Sequence, residues 1–314
     1  MRREQIVIHP AEAGERIDLF LARKTKVSRS QIQKMIGNRD VLVNGTEVAA
    51  SYRVRGNDVV VIEFGEKTAG VLVPEPIPLD ILYRDDQLIV VNKPPGMVVY
   101  PAAGHARGTL MNALASVCDH FASVGAPLRP GVVHRLDKDT SGVMVVALDD
   151  YAYYSLVGQF QRRSIRRSYR ALVFGDLRGD EGTIDLEIGR SLTDRKKMST
   201  RTKRGKEAWT SWKVLKRFGA ATLIGVTLGT GRTHQIRVHF AAIGHPVVGD
   251  RTYGRKVSLA IRGKGLLHVP RQMLHAALLG FVHPVTGQYM EFSSPPPEDM
   301  SCTIEELRIV SPRS

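Results

Sequence analysis

The stretch Gly131-Val132-Val133-His134-Arg135-Leu136-Asp137-Lys138-Asp139-Thr140-Ser141-Gly142 runs directly into the apolar segment Val143 to Leu148. A polar loop feeding a buried strand holds reactive side chains on a rigid support. Asp139, Thr140, Ser141 and Gly142 read as a turn, because short polar side chains bond their own backbone and Gly accepts positive φ. That turn gives Asp139 a structural role and leaves Asp137, between Arg135 and Lys138, as the carboxylate without one. Flanking cations keep such a carboxylate available as a nucleophile or proton acceptor.

Beyond this stretch, Ser155 to Arg163 has helical spacing and Ile165 to Val173 reads as a strand. Alternation sends Ile165, Tyr169, Ala171 and Val173 to one face and Arg166, Ser168 and Arg170 to the other. Tyr169 therefore faces inward, with a hydroxyl that needs a partner. The run from Arg190 to Lys206 is strongly basic and reads as a mobile or phosphate-facing loop. Trp209 to Val214 and Ala221 to Leu228 follow as strands and Gly229 to Arg232 as a turn; Thr233 is then expected to cap a helix carrying Ile236, Phe240 and Ile243. Arg237 lies early in that helix, where the dipole disfavours a cation, so it calls for an anion, and Asp137 is the natural candidate.

Upstream, Gly14 to Phe64 reads as a small separate unit. Ile17, Phe20 and Leu21 lie on one helix, and Ser28 caps a second through Ile32, Met35 and Ile36. Val41-Leu42-Val43-Asn44-Gly45 is a strand with a hairpin signal, and Val59 to Ile62 is another strand. The expected organisation is a first domain over 1–65, a Gly- and Pro-containing linker over 66–78 and a second domain over 79–314. Strands at Leu79 to Tyr83 and Leu88 to Val91, a turn at Asn92-Lys93-Pro94-Pro95-Gly96 and a helix at Gly108 to Leu114 open the second.

Lysine and arginine number 45 against 31 acidic residues over 314 residues, a formal net charge of +14. That one-sided excess points to a polyanion, most simply nucleic acid. Two cysteines are too few for a disulfide framework, and no apolar run approaches the roughly 18 residues of a spanning helix. A cytoplasmic protein with no membrane attachment is the expectation.

His134-Arg135-Leu136-Asp137 followed by Asp139-Thr140-Ser141-Gly142 resembles the catalytic motif of the RluA-type RNA pseudouridine synthases. Asn92-Lys93-Pro94 with Gly96 is similar to that family's first motif, although Tyr100-Pro101 stands where members often have His-Pro. Gly231-Arg232-Thr233-His234-Gln235-Ile236-Arg237-Val238-His239 with Gly249-Asp250 is similar to its third. Glu15-Arg16-Ile17-Asp18, Ser28-Arg29-Ser30-Gln31, Val41 to Gly45 and Gly56-Asn57-Asp58 resemble an S4 RNA-binding domain.

The resemblance implies an α/β (α+β) catalytic domain on a largely antiparallel mixed sheet. It implies a catalytic set of Asp137 as the carboxylate, Arg237 as its charge partner and Tyr169 packed against the target uracil and involved in proton transfer, with Arg135 filling the space the flipped uridine leaves. In the S4-like unit it implies that Arg29, Gln31, Lys34 and Arg39 meet the RNA backbone. The reaction moves uracil from an N1 to a C5 bond on the ribose with no net redox change or hydrolysis, so neither metal nor cofactor is required. His134 is read as a loop-holding histidine. The branch most similar is the large-subunit ribosomal one, the RluD type; this implies ribosomal RNA as substrate, transfer RNA as runner-up, a ribosomal subunit or its precursor as partner, and a monomer.

Two rival classes fit these residues less well. A metal-dependent nuclease built on Asp137 and Asp139 conflicts with Arg135 and Lys138 beside them, which repel a cation. A non-catalytic ribosome-assembly factor accounts for the charge and the S4-like unit, but gives Asp137, Tyr169 and Arg237 no reason to occur together.

Overall fold

The computed structural model describes residues 2–25, 27, 29–64, 71–102, 104–194, 197–254, 258–261 and 265–310. The expected cap Ser28, residues 66–70 of the expected linker, Arg195 and Lys196 of the basic run and the side chain of Gln31 lie outside the described residues. The chain divides into two compact units, Met1–Val71 and Leu72–Ser314.

The first unit packs helices α1 (Ile17–Thr25) and α2 (Arg29–Gly37) on a small antiparallel sheet. Its strands are β1 (Arg2–Val7), β2 (Val41–Val43), β3 (Thr46–Glu47) and β4 (Val59–Phe64), in the order β1-β4-β2-β3. Asn44 and Gly45 both take positive φ in the β2–β3 turn, as an Asn-Gly hairpin requires. Ile17, Phe20, Leu21, Ile32 and Ile36 form the core with Val41, Val43, Val60 and Ile62. Strand β1 went unforeseen: Arg2-Arg3-Glu4-Gln5 carries no apolar pattern, and its structure comes from pairing along the edge of β4.

Asp18 ties the two helices together. Its fully buried carboxylate accepts two bonds from Arg16 at 3.0 Å, one from Arg29 Nε at 3.0 Å and one from Gln33 Nε2 at 2.6 Å. The Arg16 hydrogen bonds outweigh burial and, with those from Gln33 and Arg29, hold the Asp18 pKa far below the ordinary carboxylate range.

The second unit is built on a nine-stranded sheet. In chain order it contains β5 (Asp80–Arg84), β6 (Leu88–Lys93), α3 (Leu110–Ala115), β7 (Ser141–Ala147), α4 (Asp150–Gln161), β8 (Arg166–Phe174), β9 (Glu181–Asp185), β10 (Gly189–Arg190), β11 (Met198–Ser199), β12 (Trp209–Arg217) and β13 (Ala221–Leu228). There follow α5 (Gln235–Ala242), β14 (Ser258–Ile261), β15 (Gly265–His268), β16 (Leu274–Val282), β17 (Tyr289–Ser293) and α6 (Glu298–Val310). The sheet order is β5-β6-β7-β16-β8-β13-β12-β9, with β17 also on β16. Every pairing in it is antiparallel except β7 with β16. Thr109 caps α3 in a reciprocal box with Asn112.

Strand β7 is buried along its whole length, Val143 and Val145 on one face and Met144 and Val146 on the other, because helices cover both faces of the sheet. It pairs with β16 only through Ser141 and Gly142, and β17 takes over the same edge of β16 from Leu278 onward. The sheet forks there, which opens one edge of β7. The segment leading to Asp137 fills it: Val132 bridges Val146, Gly131 accepts from Ala147 N at 3.0 Å, and His134 Nε2 accepts from Val145 N at 3.1 Å. Gly131 is required, since a Cβ there would lie 1.9 Å from the Ala147 carbonyl oxygen. The basic run is not all loop: β10 and β11 pair Gly189 with Ser199 and Arg190 with Met198.

Asp18→Asn is expected to lower unfolding free energy by about 1–3 kcal/mol, because buried charge-assisted bonds are lost. For a depressed carboxylate the stabilisation is complete above the unfolded pKa of about 3.9 and disappears as pH falls through the folded value. Urea unfolding of wild type and variant at neutral pH and under strong acid measures both; equal stability at neutral pH would refute the tie.

Candidate active site

The parallel pairing of β7 and β16 brings the loops before them to the same end of the sheet. Three consecutive carbonyls of the 137–139 turn each receive a donor. Asp137 O accepts from Thr140 N at 3.1 Å, Lys138 O from Lys93 Nζ at 3.0 Å, and Asp139 O from Arg271 Nη1 at 3.0 Å. The expected turn role of Asp139 is therefore carried by its carbonyl; its side chain makes no hydrogen bond among the described residues. Ser141 Oγ meets His275 Nδ1 at 3.0 Å, and Gly142 lies so close to β16 that a Cβ would stand 2.2 Å from Ala276 O.

Lys93 is fully buried, and its three N–H groups reach the carbonyls of Pro94, Met97 and Lys138 at 2.9 to 3.0 Å. Burial pulls its pKa down to about 7, against the charges of Asp139 and Asp137. Arg271 is braced in turn by Asp299 of α6 at 2.6 and 2.7 Å.

Asp137 Oδ2 accepts from Arg237 Nη1 at 2.8 Å, while His234 Nε2 stands 3.6 Å from Oδ1. Arg237 has a second carboxylate that the sequence reading left without a role: Asp250, fully buried, takes its Nε at 2.7 Å and Nη2 at 2.9 Å. Burial would lower the Arg237 pKa, but the bonds and charges of Asp250 and Asp137 outweigh it and raise it. Asp250 Oδ1 also accepts from Thr252 N and Tyr253 N, so one side chain builds both the turn and the ion pair. The Gly249-Asp250 dipeptide was its sequence signal.

Thr233 does not cap α5. His234 occupies the cap position in the left-handed region, φ 57°, and without a side-chain cap bond. The helix start is secured by Gln235, whose Oε1 accepts from Arg232 N and Thr230 Oγ1 and whose Nε2 donates to Trp209 O. The left-handed residue turns the His234 ring toward Asp137. Its Nδ1 lies 2.7 Å from Tyr253 OH, whose oxygen also accepts from Met198 N at 3.0 Å.

Tyr169 is buried on β8, as alternation required. Its hydroxyl has no hydrogen-bond partner among the described residues; instead the ring borders Asp137. Burial raises its pKa, Arg167 opposing and Asp137 reinforcing. Asp137, Tyr169, His234 and Arg237 line a small pocket of about 60 Å³. Asp137 and Arg135 also line two flanking cavities of about 580 and 590 Å³. Arg135 is exposed, donates to Tyr100 OH at 3.1 Å and lies 5.6 Å from that ring's centre. His134 holds the loop by accepting from Val145, and burial with the nearby Arg167 charge takes its pKa down to about 3.

The model for RNA pseudouridylate synthase matches residues 87–242, and that for the S4 domain matches residues 15–60. A Bacillus subtilis protein bearing the name uncharacterized RNA pseudouridine synthase YlyB is 45% identical over 309 residues, covering 98% of this chain and 99% of its own. The chain belongs to the RNA pseudouridylate synthase family. The synthase is also 43% identical to the ribosomal large subunit pseudouridine synthase D of Xylella fastidiosa, over 97% of this chain and 92% of that one. The solved structure of human RNA pseudouridylate synthase domain containing 1 matches with a TM-score of 0.53 at 27% identity, over 76% of this chain and 98% of that one. No helix among the described residues is long and apolar enough to cross a membrane.

In the S4 unit of the synthase, two of the four expected RNA contacts are engaged within the protein: Arg29 with Asp18, and Arg39 with Glu47 at 3.2 Å. Lys34 is exposed on α2.

Lys93→Met removes the donor to Lys138 O while keeping an apolar stem in place. Turnover is expected to fall on the order of 10²-fold through misplacement of Asp137, with RNA affinity nearly unchanged; a matching loss in affinity and rate would show instead that the loop binds substrate.

Proposed function

We propose that Asp137 is the carboxylate through which this RNA pseudouridine synthase isomerises uridine, and that the substrate is large-subunit ribosomal RNA. One observation carries the first part: Asp137 and Tyr169 bound the same small pocket, with Arg237 bonded to Oδ2 only. Oδ1, with His234 Nε2 3.6 Å away but no hydrogen bond among the described residues, is then the oxygen that faces a ribose or base. The bond from C1′ to N1 breaks, C1′ joins C5, the proton on C5 departs and N1 gains one, so the atoms balance without an oxidant or water. A carboxylate beside the ribosyl carbon suits a step of this kind, as it does in glycoside hydrolysis.

Tyr169 offers a flat apolar face to the uracil, and Arg237 holds the carboxylate in orientation. Arg135, exposed at the rim, is the residue that fills the stack from which the uridine is withdrawn, a withdrawal that costs a few kcal/mol. Its bond to Tyr100 holds it at the cavity mouth before RNA arrives. Relatives named ribosomal large subunit pseudouridine synthase D support ribosomal RNA as the target. A monomer acting in the cytoplasm on the large subunit or its precursor completes the reading, with Lys34, Arg29, Gln31 and Arg39 toward RNA backbone.

Tritium release from C5-labelled uridine in large-subunit ribosomal RNA tests it. Wild type should release tritium and Asp137→Asn should do so slower by at least on the order of 10²–10⁴-fold. Release from transfer RNA alone would move the substrate, and undiminished release by the variant would remove Asp137 from the chemistry.

A further inference from the structure

Arg166-Arg167-Ser168-Tyr169 opens β8, and alternation separates its two arginines. Arg166 is exposed and paired with Glu291 at 2.9 Å. Arg167 shares the inner face with Tyr169 and is only 9% exposed.

Four lysine and arginine side chains are buried among the described residues of this unit: Lys93, Arg167, Arg237 and Arg271. Arg237 has Asp137 and Asp250, Arg271 has Asp299, and Lys93 has three carbonyls. Arg167 has none of these. Its Nε is buried with no hydrogen-bond partner, its Nη2 makes one long bond of 3.4 Å to Leu228 O, and its guanidinium lies 5.5 Å from the Phe160 ring centre. A buried cation without an anion is costly, and an apolar side chain of similar volume would cost the free protein less. The arginine is explained if its anion comes from outside the chain.

The cavity of about 580 Å³ that Arg167 lines supports this. Arg129, Arg135, Arg163 and Arg232 line it too, against a single carboxylate, Asp137, which Arg237 already pairs. Gly231 lies against the guanidinium, where a Cβ would stand 2.9 Å from Nη1, so a bare backbone keeps that edge uncrowded. Arg167 is absent from the lining of the small Asp137–Tyr169 pocket, whereas Tyr169 lines both. It thus stands beside the space assigned to the base.

We propose that Arg167 is a buried anion site for a backbone phosphodiester of the RNA, adjacent to the nucleotide whose uracil enters the Asp137–Tyr169 pocket. This rests on the reading of that pocket as the uridine site. A guanidinium presents a planar fork of donors that matches two phosphate oxygens, which a lysine does not.

RNA binding by the full chain, measured against salt in an Asp137→Asn background so that substrate is not consumed, tests the site with large-subunit ribosomal RNA as probe. Arg167→Met should weaken binding on the order of tenfold and make the log–log salt slope shallower by about 0.7–0.9. Arg167→Lys should restore the slope but not the full affinity, and Arg167→Met should melt at or above the wild-type temperature without RNA. Unchanged affinity and slope, with slower turnover at saturating RNA in the Asp137 background-free enzyme, would assign Arg167 to the base and overturn the proposal. Failure of both variants to fold would make it a structural brace and overturn it equally. If wild type releases no tritium from any RNA, the uridine-site reading fails, while the salt slope still decides whether Arg167 meets phosphate.

Discussion

Arg237, held between Asp137 and Asp250, is the interaction on which the rest of the catalytic unit depends. Its guanidinium is buried, and a buried cation with one partner removed is strongly destabilised. Both carboxylates bond the one guanidinium: Asp250 takes two donors and fixes the plane, so that the remaining Nη1 points toward Asp137. Three distant segments must therefore meet: the 137–140 turn, the first turn of α5 and the 250–253 turn. The carboxylate pair is bridged by a cation that belongs to the protein.

Orientation of Asp137 is secured a second time through its backbone. Lys93 and Arg271 grip successive carbonyls of its turn from opposite sides of the sequence, and each is itself anchored. The fork of the sheet, where β7 leaves β16 and β17 replaces it, creates the open strand edge that seats the segment from Gly131 to His134. A side chain held at a reaction centre gains from such rigidity, because misplacement on the ångström scale costs rate steeply.

Around that rigid centre the surface is cationic and adaptable. Arg135 on Tyr100, Arg129 near the same ring and Arg232 line the approach, a field suited to a phosphate backbone. Tyr100 gives Arg135 both a hydroxyl and a ring to rest on. The Met198–Tyr253–His234 chain links the β10–β11 hairpin in the basic run to the neighbourhood of Asp137.

Local patterns in the sequence determined a great deal here: the helices and hairpin of the S4 unit, the apolar β7, the inward face of Tyr169, and Asp137 as a carboxylate without a turn to hold. Each follows from residue spacing within a few positions, which a linear reading can see. Strand β1 escaped because its stability comes from the edge of β4 rather than from its own residues. The expected cap at Thr233 gave way to a left-handed His234, a conformation held by contacts to Tyr253 and by the Gln235 network. Asp250 as second partner of Arg237, Lys93 as the clamp on Lys138 and Arg167 as a cation without an anion were decided only by the tertiary structure. Their meaning lies in which charges are buried together, and burial is settled by packing between segments as much as a hundred residues apart, Asp137 and Arg237 among them.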